Sequence, residues 1–269
     1  MPLAVCATPI GNLDDITRRV LAELGEADVV LAEDTRHTRL LLERHGVEAR
    51  LLSFHEHNEE ERIAAIVPRL EAGERIALVS DAGLPGLSDP GLRLVRAARD
   101  AGIEVTVLPG ASAVTTALVT SGLGDGRFVF VGFLPRKGRA LAALWEALRW
   151  WDGAVVAFES PRRLPATLRS LAAAEPERRV AVCRELSKRF EVVVVGSAVE
   201  LRERFAEPPK GEVTLVLGPG AGPPADRGAD DALQAVRELV AAGTPRRAAA
   251  DVVARLTGEP RNALYRRSL

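Results

Sequence analysis

The feature that most constrains this 269-residue chain is an alternation. Short runs of aliphatic and β-branched residues take turns with stretches whose apolar residues recur three and four positions apart. The runs LAVCAT (3–8), DVVLAE (28–33), RLLSF (50–54), RIALVS (75–80) and EVTVLP (104–109) read as strands, and TRRVLAEL, TRLLLERHG and EERIAAIVPRLEAG between them read as helices. Such alternation predicts a mainly parallel sheet with helices on both faces. Gly46, Gly73 and Gly102 fall where three of the helices should stop, as C-terminal caps. A second series, alike in layout, starts near Phe128 with FVFVGF, GAVVAFE, RRVAVCRE, VVVVG and VTLVLG.

The fold class is therefore α/β: two α/β domains, residues 1–121 and 122–220, with the boundary near the glycine-rich SGLGDGR (121–127). PGAGPPADRGAD (219–230) reads as a linker, and residues 230–269 carry three short helical patterns that form a small C-terminal module.

Several functions are set aside early. No apolar run approaches the roughly 20 residues of a membrane span, and MPLAVCATPIGN lacks the pattern of a secretion signal, so a cytoplasmic location with no membrane partner is expected. Cys6 and Cys183 each sit alone in an apolar run and read as buried thiols. All four histidines lie between 37 and 57, but His55 and His57 share a face only in an extended segment and no cysteine is near, so no metal site is expected. GxxxxGK[ST] is absent, as is GxGxxG after the first strand, which argues against NTPase and dinucleotide sites. Charge is uneven: residues 1–126 are net −8, whereas residues 127–210 are net +6. A polyanion responds to such a local field and not to the net charge of −1.

The stretch VSDAGLPGLSDPG (79–91) lies at the carboxyl end of the fourth strand, where open α/β sheets place ligands. Gly83, Gly86 and Gly91 permit close backbone approach or positive φ, and Pro85 and Pro90 stiffen the loop. Asp89 reads as the cap of a helix starting at Pro90. Asp81 is left to meet a ligand, through ribose hydroxyls or an amino group. Other polar clusters also follow strands: ATPIGNLDDIT (7–17), AEDTRHT (32–38), SFHEHNEEE (53–61), PGAS (109–112), FESPRR (158–163) and RELSK (184–188). Together they describe a cleft between two sheets.

These motifs, with GFLPRKG and KGEVTLVLG, run in order from Ala7 to Gly218. In that combination the chain resembles the tetrapyrrole methylase superfamily, and within it the ribosomal RNA branch, the small-subunit ribosomal RNA methyltransferase I group. The resemblance implies S-adenosylmethionine bound in the inter-domain cleft and a homodimer. It also implies methylation of a cytidine ribose 2′-hydroxyl in the decoding region of small-subunit (16S) ribosomal RNA, with the assembled small subunit as partner. By position it assigns cofactor contacts to Pro9, Val79, Ser80, Asp81, Leu84, Ser112 and Ala113 in the first domain, and to Phe158 and Leu186 in the second. The chain departs from the family pattern at Leu84, where Thr is usual, and at Phe158 and Arg162, where Tyr and His are usual.

Transfer from a sulfonium needs an aligned hydroxyl oxygen and an acceptor for its proton. Asp34, His37, His55 and Lys188, all in cleft loops, are candidate catalytic groups, and a Lys188 in that role needs a lowered pKa. Arg36, Arg162, Arg163 and Arg189 are candidates to hold RNA phosphates or stack on a base. The C-terminal module resembles a helix-turn-helix and suggests RNA or ribosome contact. Two other readings use the same fold: carbon methylation of a tetrapyrrole, and a non-catalytic RNA-binding protein that keeps the cleft.

Overall fold

The protein is described here from a computed structural model, which covers residues 2–220 and 227–269. Half of the expected linker at 219–230, residues 221–226, lies outside the described residues. Strands β1 (Leu3–Cys6), β2 (Val29–Ala32), β3 (Leu51–Ser53), β4 (Ile76–Val79) and β5 (Val105–Leu108) form one wholly parallel sheet in the order β3-β2-β4-β1-β5. Helices α1 (Arg18–Glu26), α2 (Thr35–Arg44), α3 (Glu59–Glu71) and α4 (Leu92–Asp100) connect its strands.

Successive strand residues face opposite ways. Leu3 and Val5 accordingly pack with Ile66 and Leu70 of α3 and Leu94 and Ala98 of α4, whereas Ala4 and Cys6 pack with Val20 and Leu24 of α1 and Leu42 of α2. Burial on both faces is why these strands read as unbroken apolar runs. Gly46, Gly73 and Gly102 all take the positive φ expected of glycines just past helix ends. Strand β4 lies between β2 and β1, so the loop that follows it opens between theirs.

The second sheet departs from the expected layout. Its strands β6 (Phe128–Phe133), β7 (Ala154–Glu159), β8 (Arg179–Arg184), β9 (Val192–Ser197) and β10 (Val213–Leu217) run in the order β6-β7-β10-β8-β9, and only β6 and β7 are parallel. The physical reason lies in the connections: residues 185–191 between β8 and β9 are too few for a crossover helix, so the strand must turn back. Helices α6 (Gly138–Leu148), α7 (Leu164–Ala174) and α8 (Ala198–Arg204) accompany this sheet, and the buried Trp145 of α6 donates its indole N–H to Ser170 of α7 at 3.1 Å. Helix α5 (Ala113–Ser121) follows the first sheet in sequence, yet its Val114 and Ala117 pack into the core of the second with Val156, Cys183 and Val216.

Both sheets fall in one compact unit, Met1–Trp145 with Gly153–Pro219. The other unit, Glu146–Asp152 with Gly220–Leu269, contains α9 (Arg227–Ala241), α10 (Arg246–Thr257) and α11 (Arg261–Arg267) around Val236, Ala249, Ala250, Val253 and Leu264. Gly258, at φ 77°, turns the chain between α10 and α11.

Helix α4 corrects one local expectation. It begins at Leu92, with Gly91 at its N-cap and φ 133°, so Pro90 is not helical and Asp89 does not cap it. The Gly91 N–H instead donates to the buried carboxylate of Glu59, 3.0 Å away on α3. A Cβ on Gly91 would lie 2.7 Å from Leu78, whereas one on Gly46 would meet nothing within 4 Å. Gly91→Ala should therefore cost about 3 kcal/mol and Gly46→Ala about 1 kcal/mol in urea unfolding. Equal losses would show that the packing of Leu78 does not hold this turn.

Candidate functional site

The loops at the carboxyl ends of the first sheet are stitched to one another through their backbones. Thr8, just past β1, and Gly83, just past β4, exchange two hydrogen bonds of 2.8 and 3.1 Å, and the Thr8 hydroxyl donates to the Ser80 carbonyl at 3.0 Å. Asp81 ties in the loop after β2: its Oδ1 accepts the Asp34 N–H at 3.0 Å. Across the cleft, the Asn12 N–H donates to the Ser187 hydroxyl at 2.9 Å. Gly11 lies so close to this second loop that a Cβ would fall 2.5 Å from Lys188 and 2.8 Å from the Leu186 carbonyl.

Among the described residues, Ser88, Glu185 and Ser187 are the non-glycine residues with positive φ, at 74°, 54° and 60°. All three belong to cleft loops. Left-handed backbone at such residues persists only where surroundings impose it, and it concentrates at functional sites.

These loops enclose a cavity of about 430 Å³ with two unlike walls. One is apolar, with Ile10, Leu84, Val114, Phe133, Phe158 and Leu186; Phe158 lies edge-on to Phe130 and Phe133. The other carries Glu33, Asp81 and Asp89, and no residue lining the cavity is basic. Glu159, Glu185 and Glu212 also line it, but these are neutralised from behind. Arg163 grips Glu159 through Nε at 2.7 Å, and Lys188 sits 3.1 Å from Glu185 and 3.0 Å from Glu212. Glu33 and Asp89 have no such cation among the described residues. Burial, then the Asp81 charge, raises the pKa of Glu33. Burial, then the charges of Glu33 and Asp81, raises Asp89 to about 7, against a hydrogen bond from Ser80 that acts the other way. Such a cavity suits a ligand with a flat, apolar part and a cationic part.

The residues singled out from sequence are distributed as follows. Asp81, Leu84, Ser112, Ala113, Phe158 and Leu186 line the large cavity. Pro9 and Ser80 line an adjoining cavity of about 170 Å³ with Asp81, His37 and Lys188. Val79 is buried within β4 and lines neither cavity. Asp34 caps α2 through the Arg36 N–H and is chelated by the Arg36 guanidinium at 3.0 and 2.7 Å, which holds its carboxyl far below the usual range. His55 lies in a turn closed by Asn58, whose Oδ1 accepts the His55 N–H at 2.8 Å, and its Nδ1 is buried without a partner.

Lys188 differs from its expectation. Burial alone lowers the pKa of an ammonium, but Glu212 and Glu185 outweigh it, so the pKa is raised and the group stays charged. Arg163 is occupied by Glu159 and the Leu134 carbonyl, Arg162 is exposed, and Arg189 lies over the Phe190 ring.

Glu33, Asp89, Glu212 and Thr214 were not singled out as site residues, yet all line the large cavity. A signal existed for two of them: Asp89 repeats the Ser-Asp pair of the same loop, and Thr214 is a polar residue inside the apolar VTLVL of β10. Cys183 also faces the cavity, but burial pushes its thiol up to about 12, so it acts there as a small apolar wall.

Comparison with known proteins agrees with this architecture. Residues 2–202 match the family described as Tetrapyrrole (Corrin/Porphyrin) Methylases, and residues 226–269 match the RsmI C-terminal HTH domain. A "Ribosomal RNA small subunit methyltransferase I" of Haemophilus influenzae is 42% identical over 98% of this chain and 94% of its own length. One from Mesorhizobium japonicum is 45% identical over 99% and 91%. A shorter one from Thermotoga maritima is 44% identical over 80% of this chain and 97% of its own length. Among solved structures, a diphthine synthase superposes with TM-score 0.64 at 19% identity over 80% of this chain and 89% of its own. The uroporphyrin-III C-methyltransferase of Thermus thermophilus complexed with S-adenosyl homocysteine superposes with TM-score 0.56 at 19% identity over 80% and 96%.

The unpaired acidic wall has a consequence for stability. Asp89 binds its proton more tightly in the folded chain, so its contribution falls as pH rises from the ordinary carboxylate range towards 7. Asp89→Asn removes that penalty. It should stabilise the protein at pH 8 by about 2 kcal/mol, after discounting for partial exposure, with the gain shrinking to nothing near pH 4. Thermal melts of both proteins across this range check it, and a variant less stable at pH 8 would show that Asp89 is held by bonds that favour its anion.

Proposed function

Because the chain belongs to the tetrapyrrole (corrin/porphyrin) methylase family, we propose that it is a methyltransferase that carries a methyl group from S-adenosylmethionine to small-subunit ribosomal RNA. The observation that carries this reading is the likeness over nearly the whole chain to proteins of that name, helical module included. The target we propose is the ribose 2′-hydroxyl of a cytidine in the decoding region, methylated in the assembled small subunit and in the cytoplasm. Among the described residues no helix is long and apolar enough to cross a membrane.

The cavity fits the cofactor chemically. Bound there, the cofactor would supply an electrophilic methyl on a cationic sulfur. Phe158, Leu186 and Leu84 offer an apolar wall for adenine, Ser112 and Ala113 stand at the start of α5, and Asp81 faces the cationic part. Pro9 and Ser80 complete the proposed cofactor contacts from the edge of the smaller cavity, with Val79 behind them in β4 holding the position of Ser80. The proposed entry for the ribose is where that cavity, bordered by His37 and Lys188, meets the large one at Ile10, Asp81 and Ala82.

The proposed catalytic set then divides by role. Lys188, charged and fixed by two carboxylates, suits a phosphate near the target. Asp34 orients Arg36 towards solvent, and His55 shapes the loop beside Glu33. Arg36, Arg162 and Arg189 are the proposed RNA contacts from the loops, whereas Arg163 holds the FESPRR turn in shape. Arg247, Arg255 and Arg266, exposed on the helical module, suit a polyanion as well. A homodimer is proposed as well, on the resemblance to the family.

Labelled S-adenosylmethionine offered with small subunits lacking this modification, free RNA and a tetrapyrrole precursor tests the reading. Label is expected on one ribose of the RNA in assembled subunits. Label on the tetrapyrrole alone would overturn the RNA substrate, and cofactor binding without transfer to any of the three would overturn the enzymatic reading.

A further inference from the structure

Asp89 stands out because its expected local duty is done by another residue. Glu59 takes the Gly91 N–H at the start of α4, which leaves the Asp89 carboxylate free to line the cavity. Its backbone is fixed on both sides. Ser88 before it is held at φ 74°, and the Glu59 bond anchors Gly91 two residues after it. From the opposite half of the cleft, Gly132 comes so near that a Cβ there would lie 3.6 Å from the Ser88 hydroxyl.

The groups facing Asp89 are acidic or neutral. They are Glu33 from the end of β2 and Asp81 and Ser80 from the end of β4. Across the cavity lie Glu159, tied to Arg163, and Glu185 and Glu212, tied to Lys188. Two of the other carboxylates in reach are already committed, Asp34 to Arg36 and Asp81 to the Asp34 N–H, whereas Glu33 is unpaired like Asp89; the Asp89 loop is the one anchored on both sides, by Ser88 and by the bond from Gly91 to Glu59. Resting on the methyltransferase reading above, we infer that Asp89 is the catalytic proton acceptor for the hydroxyl that is methylated.

The step balances without a further reactant. The hydroxyl oxygen gains a bond to the methyl carbon, the carbon–sulfur pair stays with sulfur as the thioether, and the hydroxyl proton passes to Asp89 and then to solvent. A carboxylate raised to about 7 by burial and by the charges of Glu33 and Asp81 is poised for this task, because an acceptor works best with a pKa near the working pH. A sulfonium beside it favours the ionised form, so cofactor binding itself readies the base.

Two measurements on the full chain test this, and the first needs no RNA. Calorimetry of S-adenosylmethionine binding at pH 7, in two buffers of different ionisation enthalpy, should show release of a few tenths of a proton. The neutral S-adenosylhomocysteine should release less, and Asp89→Asn should erase the difference. Equal release by both ligands, or release unchanged in the variant, would overturn the inference.

The second is single-turnover methyl transfer to small subunits between pH 5.5 and 8.5. Asp89→Asn should lower the rate by roughly 10² to 10⁴ with the KM for each substrate within about threefold, and should remove the acid limb of the profile. A rate within threefold of the parent, a retained limb, or a raised KM at constant kcat would overturn it. If the parent protein itself transfers no label, the substrate reading fails instead, while the proton release still reports on Asp89.

Discussion

The cleft depends on the pair of backbone hydrogen bonds between Thr8 and Gly83. Strands β1 and β4 are neighbours in the sheet, and this bridge carries their pairing past the strand ends into two loops that would otherwise diverge. It holds because Gly83 takes φ 81°, a conformation that costs a residue with a Cβ, and because Thr8 is buried and adds its own hydroxyl to the Ser80 carbonyl. Once the two loops are joined, Ser80 and Asp81 cannot swing away from the sheet, and through the Asp34 N–H the loop after β2 follows them.

A rigid rim of this kind lets the protein hold Glu33 and Asp89 beside Asp81 with no cation paired to either of the two among the described residues. Charge concentrated in a partly buried wall opposes folding, and the high pKa of Asp89 measures that opposition. Glu159, Glu185 and Glu212 show the contrasting solution on the other side of the cavity, where each carboxylate is matched by Arg163 or Lys188. The cavity is thus asymmetric in charge, and a cationic ligand is the species that relieves the asymmetry. Stability given up at one wall becomes binding and chemistry when that wall meets its ligand.

Much of the fold was legible because it rests on local periodicity. Nine of the ten strands sit within the runs that read as strands and β9 passes its run by one residue, to Ser197, while glycines mark helix ends where glycine alone takes the left-handed turn cheaply. The direction of the second sheet was less legible. Antiparallel and parallel strands have the same side-chain period, and the short stretch at 185–191 was the one local sign that β9 turns back on β8. Helix α5 shows a related limit: its apolar residues announce that it is buried, but nothing local says that the sheet covering it is the one yet to come.

The sequence by itself determined that polar loops follow the strands, that glycines and prolines shape the loop after β4, and that acidic residues crowd the carboxyl edge. Only the tertiary structure decided what each acid does. Asp34, Asp81 and Asp89 are chemically alike and all stand in loops after strands, yet Asp34 is chelated by its neighbour Arg36, Asp81 holds a backbone N–H 47 positions away at the cavity's edge, and Asp89 faces the cavity with no cation beside it among the described residues. The reason is physical: the state of a carboxylate is set by the charges, donors and burial within a few ångströms, and most of that surrounding arrives from distant segments. A local rule makes Asp89 a helix cap, but Glu59, arriving from α3, takes the Gly91 N–H and frees Asp89 from that role.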